Sequence, residues 1–385
     1  MKKGYRVKIC CLAAAVMVMT PFQAAAGPEF AHSEEEWAQL RDDKLEFDEI
    51  SDLIHEYNTT VLQNRINYKE YRDEDSDDIA QSYYDAAEDI YSNIEYPDAD
   101  DNGYAGRLSS ALNSEMQADR LMEQGDKNVT DDETVKLGYD QTEMNLVKTA
   151  QTQMVNYWTQ VYNLEKIKSS KELAEQQYQS MQVKAAAGTA TQAQLLSAKE
   201  AVSSAEASVL SAESALKEAK QSLCLMTGWS YGAQVEIGTL PEPDLDRIDT
   251  IDPEADLASA LDNNYSLKII RKQISNAKKA TTKENLEESL KSGERNASAS
   301  VRSAYQSILL SKSNYEQALK TYELEQKNME TAERKLAAGT ITRNAYEQQK
   351  ASFLSAETGV KTGELSLLQV MLNYDWAVGG LASTS

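Results

Sequence analysis

Histidine occurs only twice, cysteine three times and proline six times in these 385 residues, and each shortage closes off a class of protein. His32 lies in the N-terminal segment and His55 on a helix beside Glu56, neither in a plausible metal or nucleophile constellation, so both read as surface histidines. Cys10 and Cys11 lie in the first apolar stretch, which leaves Cys224 alone in the rest of the chain and rules out an intramolecular disulfide there. Flanked by Leu223, Leu225 and Met226, that thiol reads as packed core. Beyond residue 27 the prolines are Pro28, Pro97, Pro241, Pro243 and Pro253, too few for a sheet-rich domain with many turns. Glycine-rich phosphate loops, zinc-ligand spacings and catalytic triads are also missing, so the chain reads as non-enzymatic and calls for no cofactor. Basic residues are outnumbered, 39 Lys and Arg against 62 Asp and Glu, for a net charge of −23. Such a surface disfavours nucleic acid and anionic membranes as partners.

What is present begins with an export signal. Lys2, Lys3, Arg6 and Lys8 precede an apolar run from Ile9 to Met19, and Ala24-Ala25-Ala26 supplies small residues for cleavage before Gly27. The run is shorter than the roughly 20 residues a spanning helix needs and has the layout of a secretory signal at residues 1–26. A lipoprotein cysteine would follow the apolar run, whereas Cys10 and Cys11 open it. The mature chain is therefore expected outside the cytoplasm. Beyond the signal, no segment is long enough for a membrane helix, and there is no series of alternating strands of the kind a barrel requires. No bilayer span is predicted.

Helix formers dominate the remainder. Helical periodicity predicts segments over 47–73, 76–94, 108–124, 134–187, 191–226, 254–290, 297–338 and 342–376, with a break at Tyr96-Pro97 through Gly103 and an irregularity near Gly138. Helices of about 40 residues are roughly 60 Å long and must pack side by side. Ala198, Ala201, Val202, Ala205, Val209, Ala212, Leu216 and Ala219 form a seam of small residues at steps suited to close packing. The expected fold is all-α, built from long antiparallel helical hairpins in a coiled-coil-like bundle or tunnel.

The chain also repeats itself. Lys184-Ala185-Ala186-Ala187-Gly188-Thr189-Ala190-Thr191 recurs 151 positions later as Lys335-Leu336-Ala337-Ala338-Gly339-Thr340-Ile341-Thr342, and the register holds through Ser204-Ala205-Glu206 and Ser355-Ala356-Glu357. Self-similarity at a fixed offset marks a duplication. In each copy a helix ends at a glycine suited to the left-handed conformation, and Thr191 or Thr342 is placed to cap the returning helix. Both tips are expected at one end of the molecule, where they could meet a partner. Asn58-Thr59-Thr60-Val61-Leu62 and Asn264-Tyr265-Ser266-Leu267 head the two halves. The first half is longer by about 55 residues, an acidic insertion at about 73–131. The domain plan is thus a signal at 1–26, an N-terminal segment at 27–44, a first repeat at 45–237, a Pro-rich linker at 238–253 and a second repeat at 254–380.

The order of these parts resembles the TolC-type outer-membrane efflux protein family: a signal, an Asn-led helix, a long helix, a Gly-Thr-x-Thr turn, and an Ala-rich return ending at Leu225-Met226-Thr227-Gly228. The resemblance implies a helical tunnel closed by three chains, whose tips meet a membrane-fusion-type adaptor and an inner- or cytoplasmic-membrane pump. It implies partner-binding roles for Lys184, Ala187, Gly188, Thr189 and Thr191, and for Lys335, Ala338, Gly339, Thr340 and Thr342. The chain departs from the family twice. Where the family inserts membrane strands, this sequence has Asp73 to Asp101 and the charged, helical Thr281 to Ser300, so the membrane strands are expected to be absent. Gln194 and Ala345 stand where the family often carries an acidic tip residue. The implied function is a cell-envelope efflux or secretion component. The alternative is a non-transporting helical scaffold or surface interaction protein derived from the same repeat.

Two minor features complete the reading. Asp98, Asp100 and Asn102 match the opening of a calcium loop, with Gly103 at the turn, but Ser109 replaces the closing Glu; an acidic turn is the simpler account. Trp37, Trp158, Trp229 and Trp376 read as aromatic anchors of a helical bundle, and Tyr83, Tyr84, Tyr91 and Tyr96 as lining bundle seams or a partner surface.

Overall fold

The computed structural model describes residues 33–385. The export signal at 1–26, its cleavage point before Gly27, and His32 lie outside the described residues. The elements run α1 (Glu34–Leu40), β1 (Lys44–Leu45), α2 (Ile50–Tyr57), α3 (Thr59–Tyr71), α4 (Ser76–Ser92), α5 (Tyr104–Asp126), α6 (Asp132–Ala186), α7 (Gln192–Met226), β2 (Glu236–Ile237), α8 (Leu245–Ile248), α9 (Pro253–Asn263), α10 (Tyr265–Asn276), α11 (Ala280–Ala337) and α12 (Arg343–Trp376), closing on a π-helical turn at Ala377–Leu381. The fold is all-α with long hairpins. Among the described residues the only strands are β1 and β2, a two-residue parallel pair with Leu45 opposite Ile237.

Several boundaries differ from the periodicity, each for a local reason. The single helix expected over 47–73 is two, parted at Asn58, whose ψ of 126° takes the backbone out of the helical region. The helix expected over 254–290 is broken in the same way at Asn264, with ψ 116°, and again between α10 and α11. The expected gap at 290–297 is filled, because α11 runs unbroken through the buried Gly293. Gly138 likewise leaves α6 uninterrupted, since a single glycine costs a helix only about 1 kcal/mol. Helix α5 starts at Tyr104, four residues earlier than expected, directly after the left-handed Gly103.

The chain forms two compact units, and each draws on both sequence halves: one comprises the segment ending at Gln39 with Gln63–Asp140 and Tyr265–Ser292, the other Leu40–Leu62, Gln141–Asn264 and Gly293–Ser385. In the first unit, α4 and α5 form a tight hairpin. Ala80 and Ala87 on α4, and Ala111 and Ala118 on α5, recur at seven-residue spacing and are buried. Gly125 continues the second row. A Cβ there would sit 2.4 Å from the Tyr84 ring, so only glycine allows this approach. Tyr84, Tyr91 and Tyr96 donate hydrogen bonds to Asp126, Asp119 and Glu115 (3.1, 2.5 and 2.9 Å) and rung the hairpin together. Its base is held by residues of the second sequence half. Lys278 pairs with Asp77, and Lys279 with Asp126 at 2.8 Å. Lys272 reaches Glu133 at 2.5 Å and Asp131 at 3.2 Å. Asn276 donates to Val129 O and to Asp131 Oδ2. This hairpin is the acidic insertion; in the second half, residues 277–279 alone connect α10 to α11.

In the second unit, burial patterns give the neighbours of each long helix. Helices α7 and α11 each have one covered stripe, whereas α6 and α12 are covered on two sides. Contacts agree: α7 meets α6 through Glu213 and Lys168 (2.9 Å), α6 meets α12 through Thr152 and Gln369 (3.2 Å), and α12 meets α11 through Gln349 and Glu325 (2.6 Å). The Ala-rich seam of α7 is its half-buried stripe, except for the exposed Ala201. Val155, Leu365 and Leu368 form a core cluster between α6 and α12, packed by Trp158, Tyr162, Leu240 and Leu372. Trp158 donates to Gly238 O and Trp376 to Gln151, so two of the tryptophans anchor helices. Cys224 is buried, and burial raises its thiol pKa. Near the end of α12, Tyr374 donates to Asp256 at 2.6 Å, and Arg247 pairs with Asp375 at 2.9 Å, fixing α8 and α9.

Candidate functional site: the paired hairpin tips

Both tips close with the same turn. In the first, Gly188 has φ 71° and donates to Ala185 O, while Thr189 N–H returns to Lys184 O at 2.8 Å. In the second, Gly339 has φ 68° and donates to Leu336 O, while Thr340 N–H returns to Lys335 O at 2.8 Å. This paired bonding satisfies the last carbonyls of a helix and needs a left-handed residue at the glycine. The threonine hydroxyls add a second bond to the same carbonyls, Thr189 at 3.0 Å and Thr340 at 2.9 Å. A Cβ at either glycine would meet nothing within 4 Å, so backbone conformation alone requires glycine there.

The returning helices are capped differently. Thr191 Oγ1 accepts from Gln194 N–H at 3.3 Å, and Gln194 Oε1 accepts in turn from Thr191 N–H at 2.8 Å, a reciprocal capping box. Thr342 Oγ1 accepts from Ala345 N–H at 3.2 Å, but the alanine has nothing to return. The sequence places Thr191 as this cap, and the Thr-x-x-Gln spacing is the signal that would have added Gln194. Arg343 instead pairs with the buried Glu347 at 2.6 Å, one turn further on.

The tips are brought together. Asn344, just past the second tip, donates to Ser180 Oγ, just before the first, at 3.0 Å. Ser180, Val183, Lys184, Arg343 and Asn344 line an open groove between them. Lys184, Ala187, Gly188, Thr189 and Thr191 are exposed, as are Lys335, Ala338, Gly339, Thr340 and Thr342. Asn344 and Ser180 belong to no repeated motif, so the cross-link escapes sequence reading.

Far from the tips, the repeat is locked a second time. Asn58 donates to Met226 O at the end of α7 (2.8 Å) and accepts from Thr60 N–H (2.9 Å). Asn264 donates to Ala382 O beyond α12 (2.9 Å). Both asparagines are nearly inaccessible to solvent. The second acceptor lies five residues later than the 151-residue offset places it, and the five-residue π-helical turn fills the difference. Beside the first lock, a Cβ on Gly228 (φ 83°) would fall 2.3 Å from Tyr57 Cβ.

No family model and no curated protein matches the chain. Solved structures do. A membrane protein from Pseudomonas aeruginosa matches with TM-score 0.55 and 13% identity, over 87% of this chain and 90% of that one. The outer membrane protein VceC of Vibrio cholerae matches with TM-score 0.53 and 10% identity, over 90% and 99%. The CmeC outer membrane channel of Campylobacter jejuni matches with TM-score 0.51 and 10% identity, over 97% and 95%. The chain has a TolC-type fold. Within this chain α4 and α5 have no counterpart in the second half, and the two tips are the ends of the two long hairpins.

The remaining candidates are placed less suggestively. Asp98, Asp100 and Asn102 are all exposed. Asp101, not part of that triplet, accepts from Asp98 N–H and pairs with Arg107 at 3.4 Å. Among the described residues no three His, Cys, Asp or Glu side chains gather to hold a metal ion. His55 Nδ1 lies 2.6 Å from Glu143 Oε1 and joins α2 to α6.

Proposed function

We propose that this chain is a TolC-like component of an efflux or secretion system in the cell envelope, exported by its signal and acting as a conduit rather than a catalyst. The paired tips dock a membrane-fusion-type adaptor and, through it, a pump in the inner or cytoplasmic membrane. The observation that carries this reading is the juxtaposition of two exposed turns with the same backbone geometry, tied by Asn344 and Ser180. A duplicated turn kept at one end presents one surface twice, as a symmetric partner requires.

The conduit needs a closed ring, and a homotrimer supplies it. The two edge helices of the long-hairpin unit support this. Leu196 and Leu210 on α7 are 65% and 71% exposed, and Leu310 and Leu324 on α11 are 66% and 57% exposed. Packing α7 of one copy on α11 of the next would bury both rows. The test is cross-linking by a short bis-maleimide between cysteines placed at Leu210 and Leu324, the members of the two rows nearest in height above the tips, with light scattering of the unlinked protein. Cross-linked species ending at three copies support the conduit. A monomer at all concentrations, with no intermolecular cross-link, leaves the scaffold reading ahead.

A further inference from the structure

The chain is strongly acidic, yet its tips are basic. Segments 180–197 and 331–346 carry Lys184, Arg334, Lys335 and Arg343 against one carboxylate, Glu333, on a molecule whose net charge is −23. Two of these cations share one groove. Gln176, Gln179, Val183 and Lys184 form a stripe on one side of α6, at helical steps over about 12 Å, and Arg343 and Asn344 at the start of α12 form the facing wall. The groove holds about 610 Å³, room for several side chains. Lys184 is exposed and, among the described residues, has no ion-pair partner. Arg343 uses one nitrogen on Glu347 and keeps its side chain 71% exposed. On the α6 wall, Gln176 Oε1 is buried without a hydrogen-bond partner, and Val183 shows its apolar side chain to water.

We propose that this groove seats an acidic amphipathic helix of the adaptor, with a carboxylate held between Lys184 and Arg343 and an apolar side chain over Val183. The inference rests on the reading of the tips as docking ends, and it names the chemistry of what docks there. Three observations select that occupant. Two cations with donors to spare call for an anion. The unpartnered acceptor of Gln176 calls for an N–H or O–H donor, and Val183 for apolar cover. A free anion supplies neither, whereas a helix laid in a groove supplies both at successive turns. A second copy of this chain would set basic tip against basic tip. An anionic bilayer has no side chains to fill a groove and would meet the acidic remainder of the chain.

The test uses the full mature chain and a labelled glutamate–leucine peptide that forms an amphipathic helix, with binding read by fluorescence anisotropy at physiological salt. The same peptide with glutamine for glutamate is the reference. Net charge alone would favour that reference, because the chain is acidic; the groove should instead bind the glutamate peptide about fivefold more tightly. Lys184→Gln should weaken its binding about fourfold and Lys184→Glu about tenfold. Lys217→Gln and Lys320→Gln, at exposed lysines of α7 and α11 away from the tips, should change it less than about twofold. Val183→Ser should weaken binding several-fold while leaving its salt dependence unchanged. Circular dichroism of each variant checks that the helices persist. The proposal is overturned by no measurable binding, by a glutamine peptide that binds as tightly, or by equal losses at Lys184 and at the two distant lysines. Tighter association with phosphatidylglycerol vesicles than with the peptide also overturns it. The groove lies within one chain, so its failure is distinct from that of the conduit: a monomer that binds the peptide contradicts only the conduit, and a trimer that does not bind contradicts only the groove.

Discussion

The two tips share a turn but not a cap. Residues 184–189 and 335–340 place their glycines within a few degrees of the same φ and make the same three hydrogen bonds. Past the turn, Gln194 completes a reciprocal cap in one copy, whereas Ala345 leaves the other with a single bond and a nearby Arg343–Glu347 pair. What stayed alike is the part fixed by backbone geometry, for which only glycine serves. What diverged is the part where several side chains can satisfy the same amides. The asparagine locks teach the same lesson: the same residue reaches the same kind of carbonyl, across a π-helical turn that only one copy carries.

The largest expected effect is at the locks. Asn58→Ala leaves the Met226 carbonyl without its donor in a buried site, and Asn264→Ala does the same to Ala382. Each should cost about 2–3 kcal/mol, measured by urea unfolding. A loss at only one of them would break the equivalence of the repeats. Asn58→Asp keeps the acceptor for Thr60 but cannot donate when ionised, so it should be no milder than alanine.

Next come the turns. Gly188→Val and Gly339→Val force a β-branched residue into left-handed backbone, at a cost of about 1–3 kcal/mol each. Hydrogen exchange of the tip amides reports this better than a global melt, because tips open locally. Equal effects are expected; a silent substitution at either site would contradict the positive φ.

Acid should separate the base of the α4–α5 hairpin from the first tip. Burial of Asp131 favours its neutral form, but bonds from Thr134, Asn276 and Lys272 outweigh this and leave its pKa lowered. A lowered carboxylate stabilises the fold at pH values above its unfolded value of about 4, and the contribution is lost as pH falls through the folded value. Amides at 128–134 should therefore lose protection below about pH 4. Those at 188–194, capped by threonine and glutamine, should not. Asp131→Asn should flatten the difference.

The smallest effect sharpens the cap comparison directly. Gln194→Ala should reduce the first cap to the form of the second, and Ala345→Gln should build the missing half of the box. Shifts of a few tenths of a kcal/mol in opposite directions are expected, read from exchange at residues 191–195 and 342–346. Movement in the same direction would mean that Arg343 and Glu347 already do the work of the box.

By itself the sequence determined what depends on neighbours a few residues apart. Periodicity set the long helices, Gly-Thr-x-Thr set the tips, and the 151-residue offset set the duplication, because capping and left-handed turns are local chemistry. The acidic insertion was also legible as charged helix. The tertiary structure decided whatever depends on distant partners. Asn58 and Asn264 break helices that the pattern joined, because each side chain finds a carbonyl far along the chain. Gly138 and Gly293 were open to reading as breaks, yet both helices run on through them. The acidic hairpin is held at its base by lysines from the other half of the sequence, and the tips meet through Asn344 and Ser180. A hydrogen bond between residues 164 positions apart leaves no periodic trace, so only the folded chain could reveal it.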